Sequence, residues 1–294
     1  MVKFKVLFSV YFMLLASVFA QAQSKITVRS EVDKKPIPFA LLVEKEGKKG
    51  LVADESGVLN MPQVALEAGN TIIISATGYQ ELEIKSEALA QLKEVFLQPK
   101  TFELDEFTIT SSNLEPVMLG DTLWPIYRSE KGIQSGDKDE DARFGGYLNL
   151  KDNKDRLFSN VWIYFHNVDL EDPTKFRIRW LVSNEVRRPK PAKIYKNDQF
   201  FDVQNVTTVY QVKNEGWNSF DLSKDEIVIP KNYKGVFMII DKLPDVYGEI
   251  DSTIIPFQDR GKKQIEPAIF SSWGLTALDD PYSQALGIAI EYLR

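Results

Sequence analysis

One histidine and no cysteine set the first limit on the chemistry open to these 294 residues. A hydrolytic zinc centre takes two or three neutral imidazoles or carboxylates around one ion and keeps a position open. Its usual sequence form is a histidine pair with a glutamate at helical spacing. His166 alone does not assemble that set, so metallopeptidase chemistry is set aside. Without a thiol there is no cysteine nucleophile, no disulfide and no thioether-linked lipid. A serine triad lacks its marker as well, because no Gly-x-Ser-x-Gly elbow occurs. His166, in Trp162-Ile-Tyr-Phe-His166-Asn, reads as a rim histidine hydrogen-bonded to its neighbours, since no nucleophile is marked beside it.

Carboxylates are the remaining reactive groups, and there are 42 of them. Asp137-Lys-Asp139-Glu-Asp141 alternates acids as a hard cation prefers. A helix-loop-helix calcium loop wants glycine sixth and glutamate twelfth, where this chain has Ala142 and Leu148, so the stretch reads as a solvated acidic linker. Asp152-Asn-Lys-Asp155 reads likewise as a turn. Glycoside hydrolysis needs only two carboxylates some 5–10 Å apart, and nothing in the sequence sets such a pair apart. The expectation is a protein with no catalytic residues, no cofactor and no metal, carboxylate-only chemistry staying open.

Aromatic rings are the groups best suited to holding a ligand. Trp162, Tyr164, Trp180, Trp217 and Trp273 can form a stacking platform for sugar rings. Aromatics at alternate strand positions also fill a β core, and Trp162 with Tyr164 falls in register for one face. The core reading is preferred for the set. Trp217, beside a turn glycine, is the exception, and Trp217 and Trp273 stand as the candidate ligand contacts. The one basic cluster, Arg187-Arg-Pro-Lys-Pro-Ala-Lys193, reads as a solvated loop, as do Lys34-Lys35 and Lys48-Lys49.

The elements that must position these residues are strands. From Lys25 short β-rich runs alternate with turn residues: Ile26–Val32, Phe39–Val43, Leu51–Ala53, Val58–Met61, Thr71–Ser75, Gln80–Lys85 and Val95–Leu97. Gly57 supplies the positive φ that closes Asp54-Glu-Ser-Gly57. Ser86–Leu92 is the one plausible helical turn. From Tyr147 a second set follows: Phe158–Phe165, Lys175–Val182, Val206–Val212, a Gly216–Ser223 turn segment, Glu226–Ile229, Gly235–Ile240 and Ala285–Tyr292. No helical window of a dozen residues survives the glycines, prolines and β-branched runs. The expected class is all-β: two antiparallel β-sandwich domains, a seven-strand Greek key over residues 25–109 and a jelly-roll-like sandwich over 147–294, joined by a linker over 110–146.

Residues 1–22 read as a secretory signal, with Lys3 and Lys5 ahead of the apolar run Val6–Phe19 and a small-x-small site at Ala20-Gln-Ala22. The run falls short of the roughly 20 apolar residues of a spanning helix. Removing the two lysines takes the net charge from −6 to −8, and an acidic chain without a basic block argues against nucleic acid as a partner.

Four features in order, Pro36-x-Pro-Phe-Ala, then Ala53-Asp-x-x-Gly57-x-Leu, then Gly69-x-Thr-Ile-x-Ile-Ser75-x-x-Gly78-Tyr79, then Val95-x-Leu97, resemble the carboxypeptidase regulatory-like domain. This is a transthyretin-like sandwich common in exported proteins of Bacteroidota, and Phe102–Ile109 is similar to the strand that often follows it. The resemblance implies no activity, because the domain is named for sitting beside a peptidase. The later half is similar to C-terminal regions of unassigned function that follow such domains, and Gly216-Trp-x-x-Phe-Asp-Leu-Ser223 resembles part of galactose-binding-like jelly rolls.

Three functions are therefore expected of an exported chain at the cell envelope, periplasmic or associated with the outer membrane and not a lipoprotein. One is a non-catalytic binding or scaffolding protein that engages a protein or glycan through loops of two sandwiches. Another is a carbohydrate-binding or carbohydrate-active protein centred on the second sandwich. The third, implied by the resemblance, is an accessory part of an outer-membrane uptake system.

Overall fold

Apolar and polar residues alternate in runs of three to six across the first hundred residues, and each run is a strand. In the computed structural model these are β1 (Lys25–Ser30), β2 (Leu41–Glu44), β3 (Gly50–Val52), β4 (Val58–Asn60), β5 (Thr71–Ser75), β6 (Leu82–Lys85) and β7 (Glu94–Leu97). The structure describes residues 25–45, 50–61, 66–100, 114–120, 122, 132–134, 143–150, 154–171, 173–190, 193–204, 208–243, 246–247, 254–258, 265–271, 274–277 and 285–294. All seven strands expected from the pattern occur, and the short helix Ser86–Leu89 sits where a helical turn was read. The segments 1–22, Phe102–Ile109, Asp137–Asp141 and Trp273 lie outside the described residues.

One sheet runs β4-β1-β7 and another β3-β2-β5-β6. Their inward residues, among them Ile26, Val28, Leu42, Leu51, Leu59, Ile72, Ile74, Val95 and Leu97, form one buried cluster. The β1–β7 pair is parallel, a departure from the expected all-antiparallel pairing. Gly57 adopts φ +72°, and a Cβ there would stand 2.9 Å from the Ile37 carbonyl oxygen, so the turn admits only glycine without strain.

The remaining strands are β8 (Pro116–Leu119), β9 (Gly132–Gln134), β10 (Arg143–Leu148), β11 (Arg156–Phe165), β12 (Lys175–Ser183), β13 (Phe201–Asp202), β14 (Val209–Gln211), β15 (Gly216–Asp221), β16 (Val228–Ile229), β17 (Gly235–Lys242), β18 (Val246–Tyr247), β19 (Ile254–Gln258), β20 (Ile265–Ser271), β21 (Gly274–Ala277), β22 (Ala285–Leu286) and β23 (Ile288–Leu293). A long antiparallel sheet runs β13-β12-β17-β10-β20-β21, with β14 also on β12. A second runs β15-β11-β23-β8, with β16 also on β11, and a small one runs β22-β19-β9. The chain is thus all-β with several mainly antiparallel sheets. β8 and β9 fall within the stretch read as linker, and β18 pairs with β3, so the later part of the chain adds an edge strand to a sheet of the first hundred residues.

The main core lies between the β12-containing and β11-containing sheets. Phe176, Ile178, Trp180, Val182, Val236, Met238 and Ile240 meet Phe158, Val161, Ile163, Phe165, Phe220, Ile288, Ile290 and Tyr292 there. Trp180, fully buried, packs its ring 4.4 Å from that of Phe158. The opposite face of the β12 sheet is also covered, by Tyr147, Leu181, Phe200, Phe237 and Ile239 among others. Close strand approach demands Gly145, where a Cβ would sit 1.8 Å from the Met238 carbonyl oxygen.

Two ion pairs on that opposite face follow from strand register. Arg177 and Asp241 stand directly across β12 and β17, with Nε donating to Oδ2 at 2.7 Å and both side chains only 4% exposed. Arg177 Nη1 also donates to the Phe39 carbonyl at 3.2 Å, reaching the first hundred residues. Phe39 itself holds φ +54°, a costly conformation for a bulky residue, and the buried guanidinium helps to pin it. Asp202 lies diagonally from Arg179 across β12 and β13 and accepts from both Nε (2.9 Å) and Nη2 (2.7 Å).

Candidate functional site

The alternation of β11 decides which of its side chains leave the core. Phe158, Val161, Ile163 and Phe165 are buried in the main cluster, and Trp162 and Tyr164, half-buried, face the other way. This corrects the core reading for Trp162 and Tyr164, while Trp180 keeps it. The parity changes because the β11–β23 register shifts between Phe158 and Asn160, a bulge that gives Ser159 and Asn160 the same half-buried status.

Cross-strand pairing then builds a row on the outer face of the sheet. Residues directly opposite in an antiparallel pair share a face. Tyr164 pairs with Trp217, Trp162 with Ser219, and Asn160 with Asp221. The Tyr164 and Trp217 rings meet edge to face with centroids 5.5 Å apart and planes at 88°. Gly216 opens β15 with φ +101°, which turns the chain into the strand and sets Trp217 opposite Tyr164. Gly216–Ser223 was read as a turn segment; the structure makes Gly216–Asp221 a six-residue strand, because Trp217, Asn218 and Phe220 find partners along β11. Trp217 is half-buried and forms an aromatic pair with Tyr164.

Polar groups rim the rings. His166 Nδ1 lies 2.6 Å from Glu215 Oε1, with the side chains 33% and 54% exposed. This is the rim histidine of the sequence reading. At the other end Ser159 Oγ donates to Glu291 Oε1 at 2.7 Å, and Asn160 Nδ2 donates to the same oxygen at 3.3 Å. Asp221 accepts from the Ser223 backbone N–H at 2.8 Å, and the Ser223 hydroxyl and N–H hold its carboxyl below the usual range. Met118, 44% exposed, stands opposite Glu291 on β8.

Beneath the β15 loop, Asn218 binds the turn at both ends. Its Oδ1 accepts from Lys213 N (2.9 Å) and its Nδ2 donates to the Asn214 carbonyl (2.8 Å), which fixes the approach to Trp217. Asp225 accepts from the Thr208 and Tyr210 hydroxyls; burial and that carboxylate together push the Tyr210 phenol above its ordinary range. None of these three residues was singled out in the sequence, where isolated Thr, Tyr and Asp carry no spacing signal.

Among the described residues no group of three histidine or acidic side chains comes together to hold a metal ion. No helix among them is long and apolar enough to cross a membrane. The arrangement offers flat rings flanked by carboxylates, amides and hydroxyls, which suits stacking and hydrogen bonding.

No protein-family model matches the chain, and no curated protein does. A search of solved structures finds a likeness to "Structure of infectious bursal disease virus Gx strain", with 10% sequence identity and a TM-score of 0.26. The likeness covers 86% of this chain and 59% of that one, and at such a score it carries no argument.

Proposed function

We propose that this is an exported, non-catalytic binding protein of the cell envelope, built of two β-sandwich units, that holds a glycan on the outer face of the β15-β11-β23-β8 sheet. The observation that carries the reading is the row Trp217, Tyr164 and Trp162, turned away from the core and rimmed by His166–Glu215 at one end and Asn160, Asp221 and Glu291 at the other. Aromatic faces stack on sugar rings, and the rim groups match hydroxyls. Tyr164 and Trp162 follow one another along β11 and Trp217 stands beside Tyr164 on β15, so the rings span two strands. In this reading the contact surface lies on a strand face and not on loops. Export rests on residues 1–22, and the missing thiol rules out a thioether lipid.

Retention of the protein in native gels cast with soluble β-glucan, xylan or α-mannan tests the reading. One polysaccharide is expected to retard the wild-type chain and to release Trp217→Ala, with thermal unfolding unchanged. Equal retardation of the variant, or free migration in all three gels, overturns it.

A further inference from the structure

A cavity of about 280 Å³ lies away from the aromatic row, where the first hundred residues meet the covered face of the β12 sheet. One wall is Ser75, Ala76, Tyr79, Gln80, Glu81 and Lys100; the other is Arg177, Arg179, Leu181, Asp198, Phe200 and Asp202. Ligand sites favour such junctions, and this volume sits at the small end of their range. The charges decide what fits. Arg177 is taken up by Asp241 and the Phe39 carbonyl, and Arg179 by both oxygens of Asp202. Burial pulls the Arg179 guanidinium down, yet Asp202, Asp241 and Glu81 more than offset this and hold it above its ordinary value. Both arginines therefore act as fixed, neutralised walls.

Three charged groups are left to meet a ligand. Lys100 is oriented over the Phe201 ring at 5.1 Å and reaches the Phe200 carbonyl at 3.5 Å, a contact too long to satisfy an ammonium with three donors. Glu81 and Asp198 are exposed and line the cavity; Glu81 lies in the field of Arg179, and neither carboxylate has a hydrogen bond or ion pair among the described residues. A plain cation would meet the carboxylates but be repelled by Lys100. A plain anion would meet Lys100 and be repelled by two carboxylates. A neutral sugar would hydrogen-bond these groups yet match none of their charges. We infer that the cavity binds a small zwitterion, with the chemistry of an amino acid or dipeptide: its carboxylate on Lys100, its ammonium between Glu81 and Asp198, and its short apolar part against Ala76, Leu181 and Phe200. Such a ligand touches both walls and strengthens the junction when bound.

Calorimetric titration of the chain from residue 23 onward tests this with L-alanyl-L-alanine, its N-acetyl form and its C-terminal amide. The free dipeptide is expected to bind with a dissociation constant of roughly 1 mM or tighter, and each blocked form at least about tenfold more weakly. Lys100→Gln should bind dipeptide and amide alike, and Glu81→Gln with Asp198→Asn should bind dipeptide and N-acetyl form alike. These side chains sit at the surface of the cavity, and unchanged thermal unfolding of the free variants shows that they fold. Trp217→Ala should bind the dipeptide as the wild type does, which separates this site from the aromatic row. No binding heat up to about 10 mM dipeptide, equal binding of the blocked forms by the wild type, or unchanged discrimination in the variants overturns the inference.

Discussion

Asp241→Asn removes the charge of Asp241 with little change of shape, and it tests how the covered face of the β12 sheet is held together. Asp241 and Arg177 are each 4% exposed and 2.7 Å apart, so the substitution leaves a guanidinium buried without its counter-ion. Breaking a buried pair from one side costs about 3–5 kcal/mol. The neighbouring Arg179 also loses a carboxylate whose field it feels, which places the cost toward the upper part of that span. Against a total stability of about 5–15 kcal/mol, a loss of that size is close to the limit of folding. For a unit of 150–250 residues it lowers the melting temperature by roughly 6–20 °C. Urea unfolding, followed by tryptophan fluorescence with Trp180 as the buried reporter, gives the midpoint and slope. The paired replacement Arg177→Met with Asp241→Leu should recover most of the loss, since an apolar pair of similar volume avoids the desolvation of two charges. A cost below about 1 kcal/mol for Asp241→Asn, or a double variant no better than the single one, refutes the reasoning.

Further outcomes follow from single positions. Gly145→Ala places a Cβ 1.8 Å from the Met238 carbonyl oxygen, so β10 and β17 must separate; a loss of about 3 kcal/mol or more is expected in urea unfolding. Phe158→Ala empties a fully buried site against Trp180 and Tyr292, with an expected cost of about 3–5 kcal/mol by the same measurement. Asp221→Ala bears on pH. The folded-state pKa of Asp221 is depressed by the Ser223 hydroxyl and N–H, so its stabilisation is present above the unfolded value near 4 and is lost as pH falls through the folded value. The wild type should therefore exceed Asp221→Ala in unfolding midpoint at pH 7, and the difference should shrink as pH falls through the folded value of Asp221.

The strands of the first hundred residues were legible because period-two alternation and turn glycines punctuate them; Gly57 adopts the positive φ its position implies. The parallel β1–β7 pairing was not legible, since alternation marks a face and says nothing of a neighbour's direction. In β11 both parities carry large apolar residues, so sequence could not say whether Phe158 and Ile163 or Trp162 and Tyr164 meet the core. The bulge at Ser159 and Asn160 makes a single parity inapplicable along that strand. β8 was hidden as four residues among short apolar patches of the stretch read as linker, and its pairing with β23 depends on a partner more than 160 residues away. The cavity charges were invisible for the same reason: Glu81, Lys100 and Asp198 come together only through the meeting of distant strands.

The central claim is that the ring of Trp217, set against Tyr164, holds a glycan that the protein does not cleave. Calorimetric titration of the retarding polysaccharide into wild type, Tyr164→Ala and Trp217→Ala, with reducing ends assayed after overnight incubation, tests it most directly. The account predicts at least about a tenfold loss of affinity in both variants and no new reducing ends with any of the three proteins. Undiminished affinity in Trp217→Ala, or steady release of reducing ends by the wild type, contradicts it.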